Sequence, residues 1–293
     1  MHHTLMARWI LVFAVFLAAR ALANPPLPPV PTPQFRNYGL LEGLPGSHVQ
    51  AVAQDSKGFI WIATTAGLVR FDGVDFTVPR LGGEAEHSLA LGGAATMMID
   101  HDDRIWIGGS GVGVGRYDPA NGAFVQWREG LADDDVRAIA QTLDGSIWVG
   151  TAGGLDRILP NGAVEHQEVS PGGLHSSSIH ALRATDDGFL WIGSTAGVDA
   201  IDPRGRLVQM RFADDSVPTV MHIDGRPGDL FFSTDKGLYR AGIDGRLRRD
   251  TRFPAALTFG SLADSHGNIW VATIDGLDML DRHGRMNAIR GSW

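Results

Sequence analysis

The sequence predicts an all-β protein, a β-propeller made of four-stranded antiparallel blades. Three observations support this fold class. A short apolar motif centred on one aromatic residue recurs six times, at intervals of 39 to 45 residues. Glycine is abundant, with 38 residues in a chain of 293, which is typical of many tight turns between short strands. After residue 23 no useful run shows a helical apolar stripe, so helical repeats are excluded.

The central aromatic residue of each motif is predicted to anchor its blade. Typical copies are FIWIATTAGLVRFD at 59–72 and SIWVGTAGGLDRIL at 146–159. The copy at 104–118 carries one extra residue, and the copy at 229–242 has Phe in place of Trp. Large apolar side chains on a strand buried on both faces would wedge between neighbouring blades. The predicted anchors are Trp61, Trp106, Trp148, Trp191, Phe231 and Trp270.

Each unit resolves into four strands. An inner strand, such as 49–54, 136–141 or 179–184, precedes a polar turn that contains Asp or Gly, as at 55–58. The aromatic strand follows, and a third strand begins at a glycine six residues after the anchor. A more polar outer strand ends the unit, as predicted at 76–80, 124–128 and 285–290. A four-stranded unit of about 40–45 residues is typical of a propeller blade.

Six complete units are visible, and residues 33–39 resemble an outer strand without its own inner three. Two arrangements are compatible with this orphan strand. One is a six-bladed ring with a loose end. The other is a seven-bladed ring whose final blade is missing, and the last unit favours it because that unit already has an outer strand of its own. We therefore expect a truncated propeller of the seven-bladed type.

The N-terminus is predicted to direct export. Arg8 precedes an apolar run at 9–19, and Ala21-Leu22-Ala23 forms an A-x-A cleavage site. The predicted domains are a signal peptide at 1–23, cleaved after Ala23, a proline-rich spacer at 24–33 and the propeller at 34–293. An uncleaved signal anchor is the alternative. No other segment reaches the length of a transmembrane helix.

Composition excludes several function classes. The formal charge is −8, with no basic stripe, so we expect no nucleic-acid partner. Cysteine is absent, which excludes disulfide scaffolds, thiol nucleophiles and cysteine-based metal sites. Histidine spacing typical of zinc hydrolases is also absent, and we predict no catalytic residue, metal or cofactor.

The repeat resembles the two-component regulator propeller family. The residues that show this resemblance are Gly-Leu at 43–44, the turn at 55–58, the Ile-Trp-Ile-Ala-Thr run at 60–64 and the Gly-Leu-Val-Arg-Phe-Asp run at 67–72. The pattern recurs over 34–293 and departs from the family at Phe231 and at Leu159-Pro160. The resemblance implies a periplasmic ligand-sensing domain of a bacterial receptor whose output domain is a histidine kinase or diguanylate cyclase. No motif of either enzyme occurs here, so we expect no such activity, and a membrane link only through a missing downstream segment.

Candidate ligand-binding residues follow from the geometry of a propeller. The loops before the inner strands and after the aromatic strands meet at one end of the central channel, called here the top face. A small ligand would bind at that channel mouth. The candidates in these loops are His48, Thr64, Asp134 with its neighbours at 133 and 135, His175 with 176–178, Thr195, Lys236 and Asp275.

Three functions remain open. The first is ligand sensing without catalysis, with a small molecule or glycan-like compound as the ligand. The second is a metal-dependent lyase similar to virginiamycin B lyase, in which His48, His175 and a loop acid would supply the base and the metal ligands. The third is a protein-binding scaffold that docks a partner, or a second copy of the chain, through an open blade edge.

Overall fold

The computed structural model describes residues 36–64, 66–79, 94–167, 173–242 and 245–290. These ranges contain twenty-five β-strands and one 3-10 turn, Leu40–Glu42. The all-β class and the six complete blades are therefore confirmed. The predicted signal peptide and the proline-rich spacer lie outside the described residues.

Each blade contains four antiparallel strands that follow chain order, and blade 5 has one further strand. The inner strands are β1 (Val49–Gln54), β5 (Ala94–Ile99), β9 (Val136–Gln141), β13 (Ile179–Ala184), β18 (Val220–Arg226) and β22 (Thr258–Ala263). The aromatic strands are β2 (Ile60–Thr64), β6 (Ile105–Gly109), β10 (Ile147–Thr151), β14 (Leu190–Ser194), β19 (Asp229–Thr234) and β23 (Ile269–Thr273). The third strands are β3 (Gly67–Phe71), β7 (Gly113–Tyr117), β11 (Leu155–Ile158), β15 (Gly197–Ile201), β20 (Gly237–Ala241) and β24 (Gly276–Leu280). The outer strands are β4 (Phe76–Thr77), β8 (Phe124–Trp127), β12 (Val164–Gln167), β16 (Leu207–Gln209), β21 (Arg246–Arg249) and β25 (Met286–Ile289).

The inner strands coincide with the predicted ranges, whereas the outer strands are shorter. The first outer strand ends at Thr77, and residues 78 and 79 contribute no pair, while residue 80 of the predicted range 76–80 lies outside the described residues. Blade 5 has an additional strand that the repeat pattern did not predict. This strand, β17 (Arg211–Phe212), pairs in parallel with β21 and forms the outermost edge of that blade.

Five of the six anchors lie between their own blade and the next one. Trp61, Trp106, Trp148 and Phe231 are buried, and Trp191 packs at the edge of its cluster. Each shares an apolar cluster with residues of the following blade: Trp61 with Ile105, Trp106 with Val136, Trp148 with Ile179, Trp191 with Phe232, and Phe231 with Val271. Burial of a large side chain of this kind contributes about 1.5–3 kcal/mol, so these clusters hold the blades together.

The sixth anchor faces an interface that is not formed. Val271 packs towards blade 5, so Trp270, its neighbour on the strand, points to the opposite face of blade 6. Trp270 is only partly buried and belongs to no apolar cluster of the described chain. Leu262, its cross-strand partner, is 58% exposed. The anchor face of blade 6 is therefore open.

The facing side of blade 1 is open as well. Inner strands begin with a side chain that fits against a glycine of the preceding blade: Val136 against Gly108, Ile179 against Gly150, Val220 against Gly193. All three are fully buried, whereas Val49, at the same position of β1, is 47% exposed and Val52 is 58% exposed. We call this gap the seam, defined by Val49, Val52, Leu262 and Trp270. Within the described residues, β22 and β1 do not pack together as the other consecutive inner strands do.

The expected orphan strand is absent from the described part of 33–39, and this prediction was wrong for residues 36–39. These residues cover the free face of blade 1 instead. The ring of Tyr38 meets Phe71 and Phe76 edge-on, with centroids 5.1 and 5.8 Å apart. Leu44 is buried against the same face. An apolar sheet face without a neighbouring blade is thus covered in part by the segment that precedes it. The seventh blade stays a prediction.

Candidate functional site

At the predicted top face, hydrogen bonds join the loops before the inner strands to the loops after the aromatic strands. In four blades, a backbone N–H just after the aromatic strand donates to a carbonyl just before the inner strand. The four bonds are Ala152 N to Asp135 O (3.0 Å), Thr195 N to Ser178 O (3.3 Å), Asp235 N to Thr219 O (3.1 Å) and Ile274 N to Leu257 O (3.2 Å). The two loop sets therefore meet at one end of the propeller.

One candidate, Thr64, is held in the turn after its strand. Its side chain is buried, and its hydroxyl donates to the carbonyl of Gly67 at 3.0 Å and accepts from the N–H of Ala66 at 3.1 Å. The same bond closes the turns of blades 3 to 6, through Thr151, Ser194, Thr234 and Thr273. The recurring hydroxyl stabilises the turn before the third strand.

Four further candidates lie at the top face without forming one group. His48 is exposed, and its Nδ1 lies 3.3 Å from Ser47 Oγ. Asp134 forms an ion pair of 3.2 Å with Arg128. Lys236 and Asp275 are exposed, and each is held through its backbone N–H by the turn hydroxyl of its blade. No contact among the described residues joins these four side chains to one another.

His175 is the best-positioned candidate. Its backbone N–H donates to Asp199 Oδ2 at 2.8 Å, and its Nδ1 lies 2.6 Å from Asp199 Oδ1. The side chain of Asp199 is completely buried. Burial raises the pKa of the Asp199 carboxyl, and the bonds from His175 oppose that rise. The imidazole is therefore fixed at Nδ1, and Nε2 faces away from the carboxylate.

A polar cluster lies at the start of the inner strands of blades 3 and 4, and sequence reasoning identified its loop residues, Asp135 and Ser178, but missed Arg137 and His180. Arg137 Nε and Nη2 donate to Asp135 Oδ2 at 3.1 and 2.8 Å. Arg137 Nη1 donates to Ser178 Oγ at 2.9 Å and lies 3.1 Å from His180 Nε2. We call Asp135, Arg137, Ser178 and His180 the channel cluster. It joins two blades beside the central channel through charged and polar groups.

The local cause of the channel cluster is a β-bulge. The pairing of each inner strand with its aromatic strand shifts by one residue just after the strand begins, so the second residue has no cross-strand partner. A bulge re-aims the side chain of its extra residue. Arg137 and His180 occupy this position in blades 3 and 4. The sequence contains a signal for this cluster, because the bulge position is polar in blades 3 and 4, whereas it holds Met221 and Phe259 in blades 5 and 6.

The charge state of the channel cluster follows from its surroundings. Burial lowers the pKa of His180, the Arg137 guanidinium lowers it further, and Asp135 acts in the opposite direction. A neutral His180 can accept a hydrogen bond at Nε2, as the contact with Arg137 requires. The cluster therefore presents a guanidinium, a hydroxyl and a neutral imidazole, which are suited to hydroxyl and carboxylate oxygens.

A second polar group lies further along the inner strands of blades 4 and 5. Arg183 Nη2 donates to the carbonyl of Gly225 at 3.0 Å, and Arg183 Nη1 lies 3.7 Å from Asp224 Oδ1. Burial lowers the pKa of His222, with Arg183 acting in the same direction and Asp224 against it. The backbone of blade 6 donates to Asp224 Oδ2 from Ala263 N at 3.1 Å. These groups tie three blades together.

The described residues contain no group of three His, Asp or Glu side chains arranged to hold a metal ion. In particular, His48 and His175, which the lyase hypothesis combines, make separate contacts with Ser47 and Asp199. In the same ranges, no helix has the length and apolar character needed to cross a membrane.

Comparison with known proteins supports the predicted resemblance. Residues 43–66 match the family described as two component regulator propeller, so the resemblance is confirmed for the first blade. No curated protein matches the sequence.

Solved structures show the same fold at low sequence identity. The extracellular domain of the putative hybrid two component system BT3049 from B. thetaiotaomicron is 21% identical, with a TM-score of 0.70 over 88% of this chain and 37% of that one. The corresponding domain of BT4673 from the same organism is 20% identical, with a TM-score of 0.73 over 88% and 35%. The chain thus spans little more than a third of the length of these two proteins. Virginiamycin B lyase from Staphylococcus aureus is 16% identical, with a TM-score of 0.66 over 84% of this chain and 85% of that one.

Proposed function

We propose that this chain is an exported propeller that binds a small polar ligand at its top face and serves as a sensor without converting the ligand. The channel cluster is the observation that carries the proposal. The similarity to extracellular domains of putative hybrid two component systems supports the same function. The apolar run at 9–19 and the A-x-A pattern at 21–23 support a periplasmic location, and the proposal includes cleavage after Ala23.

The proposed ligand is rich in hydroxyl or carboxylate oxygens, as a sugar or a small organic acid is. Arg137 has one Nη2 hydrogen beyond its contacts with Asp135, Ser178 and His180, and it can donate that hydrogen to a ligand oxygen. A ligand bound there would contact blades 3 and 4 together. Binding would therefore stabilise the contact between two blades, which is one way to convert occupancy into a change of shape.

A thermal-shift screen of sugars and organic acids tests this proposal. At about 100 times Kd, a ligand adds about 2.7 kcal/mol to the free energy of unfolding, which raises Tm by several degrees for a domain of this size. We expect at least one such compound, and we expect Arg137→Gln to abolish its effect. Arg226→Gln is the control, because this exposed arginine is the last residue of β18 and is not part of the channel cluster. A screen without any hit, or hits that are unchanged in Arg137→Gln, would contradict the proposal.

A lyase is the second candidate, favoured by the fold match that covers 85% of virginiamycin B lyase. The test is the melting temperature in Mg²⁺ and in EDTA, together with an assay of streptogramin opening. A metal-dependent rise of several degrees with turnover would favour the lyase and overturn the sensor proposal. Equal melting without turnover would remove the lyase.

A scaffold function is the third candidate, and the seam is the observation that favours it. Its apolar walls are accessible to another polypeptide, including a second copy of the chain. Self-association in a concentration-dependent manner, measured by light scattering after size-exclusion chromatography, would support this candidate. A monodisperse monomer at all concentrations would contradict it.

A further inference from the structure

We propose that a cleft between blades 4 and 5 binds a free α-amino acid with an apolar side chain. This site goes beyond the channel cluster and shares no residue with it. The cleft has a volume of about 360 Å³, at the lower end of the range for small-molecule sites. Such a volume accommodates one amino acid. Ala196, Met210, Phe212 and Val217 form its apolar lining, and His175, Arg211, Asp215 and Ser216 form its polar lining.

The cleft exists because blade 5 departs from the repeat. Its extra strand, β17, carries Arg211 and Phe212 along the outer edge of the blade. Phe212 is buried and packs edge-on against Tyr239, with ring centroids 5.0 Å apart. The Tyr239 hydroxyl donates to Asp214 Oδ2 at 3.1 Å. This wall is therefore a packed element of blade 5, and the side chains on it are held in place.

Two opposite charges on the cleft have no partner within the described part of the chain. Neither the Arg211 guanidinium nor the Asp215 carboxylate forms an ion pair or a side-chain hydrogen bond among the described residues, although many other arginines of the chain are paired. An unpaired guanidinium suits a carboxylate, and an unpaired carboxylate suits an ammonium group. The α-amino acid carries both groups.

Asp215 also has an unusual backbone. Its φ is +54°, in the left-handed region that a residue other than glycine rarely adopts. Its N–H donates to the carbonyl of Phe212 at 3.2 Å, which closes a turn directly after the strand that carries Arg211. Both charged residues therefore belong to one short segment that lines the cleft.

His175 supplies a third polar group. Its Nδ1 is held by the buried Asp199, so Nε2 is the ring nitrogen left for a ligand. The loops that precede the inner strands of blades 1 and 3 have proline and alanine after Gly-Leu, at positions 45 and 132, where this loop has His175. The imidazole is therefore specific to this cleft. It can hydrogen-bond a ligand carboxylate held by Arg211.

The remaining surface explains the apolar side chain of the ligand. Val217 is 61% exposed, and Met210 is half-buried next to it. A leucine-sized side chain would cover both and remove apolar surface from water, which stabilises the complex at about 25 cal/mol per Å². A polar side chain would bury no comparable apolar surface and would not gain this stabilisation.

Calorimetric titration with L-leucine, L-leucinamide and N-acetyl-L-leucine tests the proposal. The amide lacks the carboxylate charge, and the acetyl derivative lacks the ammonium charge. We expect L-leucine to bind and each derivative to bind about tenfold more weakly or worse, because one charge pair is lost. Equal binding of all three, or no binding of L-leucine up to about 10 mM, would overturn the proposal.

Two variants assign the charges. Arg211→Gln should weaken the binding of L-leucine about tenfold and leave the binding of L-leucinamide unchanged. Asp215→Asn should weaken the binding of L-leucine and leave the binding of N-acetyl-L-leucine unchanged. Asparagine tolerates the left-handed backbone at this position. The control is Arg204→Gln, an exposed residue in the turn after β15. Arg137→Gln should leave L-leucine binding intact, which separates this site from the channel cluster. If Arg211→Gln and Arg204→Gln behave alike, the assignment is wrong.

Discussion

The indole Nε1 of Trp61 donates a hydrogen bond to Asp55 Oδ2 at 2.9 Å, across the turn between the inner and the aromatic strand. The same bond joins Trp106 to Asp100 at 2.8 Å and Trp270 to Asp264 at 2.9 Å. Asp55 also accepts from the backbone N–H groups of residues 57 and 59, at 3.0 and 2.9 Å. One carboxylate thus closes the turn and satisfies the polar atom of the anchor, which explains why the two residues recur six positions apart.

Removal of this carboxylate should destabilise the propeller. The side chain of Asp100 is fully buried and accepts from Trp106 Nε1 and from Arg104 Nε. Asp100→Ala leaves both donors without a partner, at a cost of about 2–3 kcal/mol. Urea unfolding followed by fluorescence measures the change. Asp118→Ala is the control, because Asp118 accepts from its own turn and from no anchor. Equal losses in the two variants would contradict this role of the carboxylate.

In blade 4 the hydrogen-bond acceptor of the anchor can be added instead of removed. Thr185 occupies the acceptor position, but its hydroxyl donates to Asp187 Oδ1 at 2.6 Å, and Trp191 Nε1 is buried without a partner. Thr185→Asp supplies the missing acceptor and should add about 1 kcal/mol to the free energy of unfolding. In blade 3, Thr142 already accepts from Trp148 at 3.2 Å, so Thr142→Asp is the matched control with a smaller gain. A loss of stability in Thr185→Asp would show that Trp191 needs no acceptor.

The open seam predicts different outcomes for substitutions at equivalent positions of two aromatic strands. A larger residue should be tolerated beside the seam and should destabilise the protein between two packed blades. A Cβ atom on Gly150 would lie 2.5 Å from Ile179 Cγ2, so Gly150→Ala should cost about 1–3 kcal/mol through overpacking. Ala272 occupies the same position in blade 6, on the face that is open within the described residues. Ala272→Val should therefore change stability by less than about 0.5 kcal/mol. If denaturant titration shows a large loss for Ala272→Val, blade 6 packs against blade 1 in solution and the seam is closed.

The exposed wall of the seam should drive self-association. Leu262 is 58% exposed beside Trp270. Leu262→Glu should reduce self-association, measured by light scattering, without a loss of stability. Met98, which faces Trp106 in blade 2, is packed between blades, and Met98→Glu should destabilise the protein by several kcal/mol. Comparable destabilisation by both substitutions would argue against an open seam.

Acid should weaken the fold between about pH 4 and pH 2. Burial alone would raise the pKa of Asp264, but hydrogen bonds from Trp270 and Asn268 outweigh it and lower the pKa to about 2. Burial would also raise the pKa of Asp144, but the hydrogen bonds that its carboxylate accepts outweigh burial and lower this pKa to about 2. A carboxyl with a depressed pKa stabilises the fold above its unfolded value, 3.8, and this stabilisation is lost as the pH falls towards 2.

Urea midpoints measured from pH 6 to pH 2.5 check this prediction. Asp264→Asn should reduce the acid sensitivity, since asparagine does not titrate in this range. Asp199 acts in the opposite direction, because burial raises its pKa, so its protonation favours the folded state. A stability that stays constant down to pH 2.5 would contradict the contribution of Asp264 and Asp144.

Sequence patterns predicted the blades because the relevant interactions are local. The inner strands β1, β9 and β13 have the predicted bounds, since turn residues and apolar runs determine where a strand begins and ends. The anchors were identified for the same reason. Thr64 was assigned to the ligand site because its sequence position lies at the channel end, whereas its hydroxyl is consumed within its own turn.

The channel cluster could not be predicted in this way. Arg137 and His180 are 43 residues apart and meet only because bulges on neighbouring inner strands turn both towards the same space. The orphan strand failed for a related reason, since Tyr38 packs on a sheet face that has no neighbouring blade.

The sequence by itself determined the all-β class, the six four-stranded blades and the anchors, because strand period, turn chemistry and repeat length are properties of short stretches of chain. Only the tertiary structure decided which polar side chains meet at the top face, how the extra strand of blade 5 creates a cleft, and that Val49 and Trp270 face an open seam. These features depend on the angle and register between blades, and that geometry comes from contacts between residues far apart in the sequence.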